Sequence, residues 1–134
     1  MGQRPRRQQQ LAVRLAARRG QTAERAARSW LEQRGLQLLA QNFSCRYGEL
    51  DLVMADGDTL VVVEVRSRQS PRFMTPECSI DSAKQQRIIN AAEVFLQQHP
   101  RFADNAVRFD VVALVGNEVR WIRDAFMVES DGSN

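Results

Sequence analysis

The stretch that most constrains this chain is Glu49-Leu50-Asp51-Leu52-Val53-Met54-Ala55-Asp56-Gly57-Asp58-Thr59-Leu60-Val61-Val62-Val63-Glu64-Val65-Arg66. Two strongly apolar runs carry three carboxylates inside them and are joined by Asp-Gly. That pair between alternating apolar runs is a strong hairpin signal, because tight two-residue turns need positive φ and these residues supply it. Two registers are open. A loop of Asp56-Gly57 pairs Ala55 with Asp58 and sets Asp51 across from Val62, whereas a loop of Gly57-Asp58 sets Asp51 across from Glu64. Side chains alternate with period two, so both registers predict Glu49, Asp51, Glu64 and Arg66 on one face of the ribbon.

Opposed or diagonal positions on such a face have Cβ atoms roughly 5 to 8 Å apart, close enough for two carboxylates to share one divalent cation. Like charges there repel unless something positive lies between them. The candidates are Arg66, Mg2+ or Mn2+. The same face carries Val53, Leu60 and Val62, so it is apolar toward the turn and acidic at the far end, which fits a covered face with an acidic pocket at its rim. The competing reading is a solvated strand face whose acids pair with Arg66 and Arg68.

The rest of the chain narrows the chemistry. Its 134 residues suit one domain. No run approaches 18 uninterrupted apolar residues, and the Arg-rich start is not followed by an apolar signal segment, so a soluble, cytoplasmic protein without membrane association is expected. Cys45 and Cys78 have no CxxC partner and His99 is the single histidine, which argues against zinc ligation and against Ser-His or Cys-His nucleophilic catalysis. The thiols are expected to be reduced, and His99, beside Pro100, to close a helix or sit in a loop. Any catalysis has to be built from carboxylates, a cation and a metal.

Charge is segregated. Residues 1–28 hold eight arginines, Arg18 and Arg19 among them, against Glu24 alone, although the whole chain is only +3. Lys84 is the one lysine beside eighteen arginines, a bias toward planar, bidentate phosphate contacts. Such an arm either tracks a nucleic-acid backbone or serves as a solubilising tail.

Residues 1–20 read as a basic, largely disordered arm and 129–134 as a flexible tail, with a single domain over 21–128. The spacing of Ala23, Ala26, Ala27, Trp30 and Leu31 predicts a helix over 22–34, capped by Thr22 and closed by Gly35. Strands follow at 36–43, 48–55 and 59–66, then a loop over 67–80. A helix over 82–98 buries Ile88, Ala91, Ala92, Phe95 and Leu96, with Asp81 or Ser82 as its cap. Strands at 107–115 and 118–123 flank a Gly116-Asn117 turn. Helix, three strands, helix, two strands pack naturally as a mixed sheet covered by helices. Lys84, Gln85 and Arg87 at the start of the second helix are either a solvated face or a phosphate contact near the acidic pocket. Asp110 reads as a structural partner of Arg108 or Arg87.

Taken in order, Glu24 with Ala26-Ala27 and Leu31, Arg34-Gly35-Leu36, Asn42, Gly48-Glu49-Leu50-Asp51-Leu52, Asp56-Gly57-Asp58, Val63-Glu64-Val65-Arg66, Lys84-Gln85, Arg87, Arg108-Phe109-Asp110-Val111-Val112 and Asp124-Ala125-Phe126 resemble the YraN family of small bacterial proteins over nearly the whole chain. That family is in turn similar to the PD-(D/E)xK nuclease superfamily, and in particular to the small archaeal Holliday-junction resolvases.

The resemblance implies an α/β, restriction-endonuclease-like three-layer fold with a mixed central sheet flanked by helices. It also implies Glu24, Asp51 and Glu64 as the acidic residues, and a Mg2+ or Mn2+ site formed by Asp51, Glu64 and the Val65 carbonyl. Arg66 stands at the lysine position, and Glu49 is outside the pattern. Arg18, Arg19, Lys84 and Arg87 are the expected nucleic-acid contacts. The implied activity is metal-dependent phosphodiester hydrolysis on structured nucleic acid, branched forms included, DNA in preference to RNA, with a homodimer if it works as a resolvase. Leu50 replaces the usual Pro, and Arg66 cannot deprotonate to act as a base as Lys can. The alternative is therefore a catalytically inactive nucleic-acid-binding module that keeps the nuclease fold.

Overall fold

The computed structural model describes residues 23–68 and 80–128. The arm over 1–20 with Arg18 and Arg19, the Thr22 cap, most of the 67–80 loop with Cys78, and the 129–134 tail lie outside the described residues. The elements are α1 (Ala23–Glu32), β1 (Gln37–Cys45), β2 (Gly48–Asp56), β3 (Thr59–Arg68), α2 (Ser82–Gln98), a 3-10 turn (Pro100–Phe102), β4 (Ala106–Val115) and β5 (Glu118–Phe126). The five strands form one sheet in chain order, antiparallel throughout except for the parallel β3–β4 pair. This is the expected α/β three-layer arrangement, a mixed sheet between two helices. No helix among the described residues is long and apolar enough to cross a membrane.

Strand β3 is central, and its run Leu60 to Val65 is buried on both faces. Leu60 and Val62 pack with Ile88, Ile89, Ala92 and Phe95 of α2, whereas Val61, Val63 and Val65 pack with Ala26, Ala27 and Leu31 of α1. A strand covered on both sides reads as a continuous apolar run, and its alternation divides the side chains between the two layers. The alanines of α1 let that helix lie close to the sheet. It ends at Gly35 (φ +97°), where the amides of Gly35 and Leu36 donate to the carbonyls of Glu32 and Leu31. Positive φ costs glycine little, so this position suits a C-terminal cap. Asp81 caps α2 by accepting from the Lys84 amide at 2.8 Å. His99 closes the helix as expected, its ring stacked on Phe95 at 4.1 Å and its Nδ1 2.8 Å from the Phe95 carbonyl oxygen.

Of the two open hairpin registers, the structure adopts the second. Asp56 pairs with Thr59, and the loop is Gly57-Asp58 with Gly57 at φ +60° in the first central position. Asp56 stays in the strand because its carboxylate accepts from Arg108 of β4 at 3.3 Å. Strand β1 extends to Cys45, two residues beyond expectation. Strand β5 runs to Phe126 rather than 123, because a register shift between Phe109 and Val111, with Asp124 at φ +54°, lets the chain rejoin the sheet and stack Phe126 on Phe109.

Candidate functional site

The β2–β3 ladder runs from Asp56 and Thr59 to Leu52 and Val63. One step further, where this register sets Asp51 across from Glu64, the Asp51 side chain takes over: its Oδ2 accepts from the Val65 amide at 2.8 Å. A carboxylate thus stands where a backbone acceptor would, at the point where the two strands part.

The alternation that predicted one shared face fails just there. Gln41 turns to α1, within 3.4 Å of Arg28, yet Phe43, two residues later, packs edge-on against Phe95 of α2. Across the ladder Leu52 packs in the α1 layer and Leu50 in the α2 layer. Asn42 lies between those positions, opposite Asp51, with φ +56°. A single left-handed residue in β1 reverses which way the following side chains face, and β2 follows it. As a result Glu49 is exposed and apart from the other acids, which corrects the expectation that it shares their face. Asp51 sits at the crossing itself.

Asp51 and Glu64 are brought together. Burial, reinforced by the Glu64 charge, pushes the Asp51 carboxyl up to about 7, against the opposing pull of the Val65 amide; the Glu24 charge and a hydrogen bond with Glu64 add to the rise. Asp51 therefore keeps its proton well above the ordinary carboxylate range, because a second negative charge beside Glu64 is unfavourable. Glu64 is 5% exposed. Lys84 Nζ reaches its Oε2 at 3.1 Å, and the Arg66 guanidinium lies 3.8 Å from the same oxygen. Arg66 Nε is buried and has no hydrogen-bond partner among the described residues, an exception to the usual pairing of buried polar groups.

Glu24 occupies the first turn of α1, from which its charge acts on Asp51. It is not drawn into ligating contact, for no cluster of three metal-binding side chains forms among the described residues. Lys84, read as either a solvated face or a phosphate contact near the acidic pocket, is an ion-pair partner of Glu64. Arg87, three residues along α2, is exposed. Asp110 pairs with Arg108, one of the two expected partners, at 2.9 Å. The two positions missed in the sequence are Lys84 as a member of the acidic site and Asn42 as its hinge. An asparagine within the strand was the available signal for the second, since Asn tolerates left-handed φ.

As donors, Asp51 and Glu64 offer hard oxygens that suit Mg2+ or Mn2+. Mg2+ in particular is commonly held by one or two carboxylates, its remaining positions going to water and phosphate. Two close acids, rather than three, fit that pattern.

Fold and site together define a small three-layer α/β protein with a carboxylate pair and two cations where the central strands part. The chain belongs to the Uncharacterised protein family UPF0102, the YraN family, whose profile matches residues 23–114. It is similar to a UPF0102 protein of Halorhodospira halophila (strain DSM 244 / SL1), 53% identical over 112 residues that cover 84% of this chain and 89% of that protein. UPF0102 proteins of Ectopseudomonas mendocina (strain ymp) and Stutzerimonas stutzeri (strain A1501) are 49% and 50% identical, each match covering 80% of this chain and 92% of the relative.

Proposed function

We propose that this protein is a cytoplasmic, metal-dependent nuclease-like protein that hydrolyses phosphodiester bonds in structured nucleic acid, DNA in preference to RNA and branched DNA included. The observation that carries the reading is the Asp51–Glu64 pair, two carboxylates brought together beside Lys84 and Arg66, with the Asp51 carboxyl pushed up to about 7. A carboxyl held far from its ordinary value by burial and a neighbouring carboxylate marks a candidate working site.

In this reading Asp51, Glu64 and the Val65 carbonyl hold Mg2+ or Mn2+. The metal supplies Lewis-acid polarisation of a phosphoryl oxygen and acidifies the attacking water. The chain's own residues do the rest. The exposed part of the Arg66 guanidinium donates to a phosphate oxygen, stabilising the charge that builds in the transition state. Arg66 cannot act as a base, and α2 delivers to the same carboxylate the lysine that the strand lacks, Lys84. Glu24 adds negative charge at the mouth of the site, where a cation gains from it. A homodimer, the arrangement a resolvase needs, belongs to this reading as a proposal.

One observation favours the second reading, a catalytically inactive nucleic-acid-binding module: Lys84 and Arg66 already neutralise Glu64, so the site is electrostatically complete without a metal. A single experiment separates the two. Purified protein is incubated with end-labelled four-way and nicked duplex DNA in Mg2+ or Mn2+, alongside calorimetric titration of Mn2+. The nuclease reading expects a saturable Mn2+ isotherm and cleavage that Asp51→Ala and Lys84→Gln each abolish. Cleavage that survives in an Asp51→Ala, Glu64→Ala double variant shows a contaminant and removes the reading. Binding that ignores chelator, with no cleavage and no Mn2+ isotherm, establishes the inactive module instead.

A further inference from the structure

The two tryptophans of the chain meet. Trp30 of α1 and Trp121 of β5 pack edge to face with centroids 5.9 Å apart. Each indole carries an arginine on its ring: the Arg34 guanidinium lies 3.5 Å from the Trp30 centroid and that of Arg123 lies 4.0 Å from the Trp121 centroid. Both arginines are exposed, and neither has a carboxylate within ion-pair distance among the described residues. Arg34 spends one donor on the Trp30 carbonyl. A stacked guanidinium keeps its in-plane N–H groups free, and stacking has already restricted the rotamers that an anion would otherwise have to order.

The platform beneath them is fixed from below. Asp110, fully buried, accepts from Trp121 Nε1 at 2.9 Å, from Arg108 Nε and Nη2 at 2.9 and 3.0 Å, and from the Asp124 amide at 2.9 Å. A buried carboxylate with its lone pairs engaged holds the indole rigidly, since releasing it would leave a charge underpaired in the interior. A simple lid over the core would need neither that anchor nor two unpaired cations on its outer rings.

We propose that Arg34 and Arg123, on their Trp30–Trp121 platform, form a second nucleic-acid contact that takes the phosphodiester backbone of the strand flanking the acidic pair. The choice of nucleic acid over another polyanion rests on the nuclease-like reading. Trp30 follows Glu24, whose charge is felt at Asp51, by six residues of α1. That is ~9 Å along the helix, a span of about three nucleotides of a stacked strand.

Because both tryptophans are in the platform, tryptophan emission, excited selectively over that of Tyr47, reports on it alone. A fluorescein-labelled branched DNA is titrated with the full chain in chelator. Dye anisotropy reads total binding, and tryptophan emission reads the platform. The inference expects the two signals to share a midpoint. It also expects an Arg34→Gln, Arg123→Gln variant, with an unchanged circular-dichroism melt, to flatten the slope of log K against log salt by about 1.8, or ~0.9 for each phosphate that is no longer neutralised. Arg101→Gln, which removes a guanidinium stacked on Phe102, serves as a control that leaves the slope unchanged. Anisotropy that rises with no change in emission, and with a wild-type slope in the double variant, overturns the second site and leaves the nuclease reading standing. No anisotropy change at low salt removes both.

Discussion

Replacing Asp51 by Asn should stabilise the metal-free protein at alkaline pH, by an amount the site geometry sets. The folded chain holds the Asp51 proton up to about 7, well above the ordinary value of 3.8. Between those values the native state keeps a proton that the unfolded chain has already released, so stability falls as pH rises. The contribution is fully present below about 4 and gone above about 7. About three pH units at 1.36 kcal/mol each come to roughly 4 kcal/mol, and water at the partly open carboxylate screens this to about 2 kcal/mol.

Asparagine removes the titration and little else. Its amide oxygen still accepts from Val65, and its NH2 donates to Glu64 where the shared proton stood. The assay is a set of thermal melts in chelator from pH 4 to 8.5. The variant should gain roughly 6 to 10 °C on wild type across that range, then run parallel to it. Adding Mn2+ at pH 8 should narrow the gap by stabilising wild type alone. A wild-type-to-variant difference that is constant across the pH range would refute the account of the acidic pair.

Two further perturbations test the supports of the site. Asn42→Gly should leave stability within a few tenths of a kcal/mol, whereas Asn42→Val should cost about 1 to 2 kcal/mol in urea denaturation, because a β-branched residue resists left-handed φ. The Val variant should also bind Mn2+ more weakly in calorimetry, because Asp51 sits at the crossing that Asn42 creates. Asp110→Ala should destabilise by about 3 to 5 kcal/mol through the abandoned Arg108 charge, with a shift in tryptophan emission as Trp121 Nε1 loses its acceptor.

The elements themselves are legible in the sequence because each rests on local pattern. The continuous apolar run of β3, the Asp-Gly turn, the stripe of α2 and the Asp81 cap all reflect neighbours within a turn or a hairpin. What escapes depends on contacts between distant segments. The register stays open in the sequence because Asp56 is held in its strand by Arg108, 52 residues away. Glu49 is misplaced because period-two reasoning assumes an unbroken ribbon, and Asn42 breaks it. Lys84 lies twenty residues from Glu64 along the chain, so only the packing of α2 over the sheet shows that its ammonium reaches the acidic pair. The same holds for the Trp30–Trp121 platform, whose halves come from opposite ends of the domain.

The strand order of the sheet equals the order of the chain, and its one parallel joint falls between β3 and β4. Both acids lie upstream of that joint, within a single hairpin and fewer than about fifteen residues apart, a short loop to close. Neighbouring contacts close early during folding, whereas β4 must wait for α2 to cross the sheet. A chain that has assembled only its first three strands already holds the two carboxylates side by side. In pulsed hydrogen exchange the amide of Val65, which donates to Asp51, should therefore gain protection ahead of those of β4.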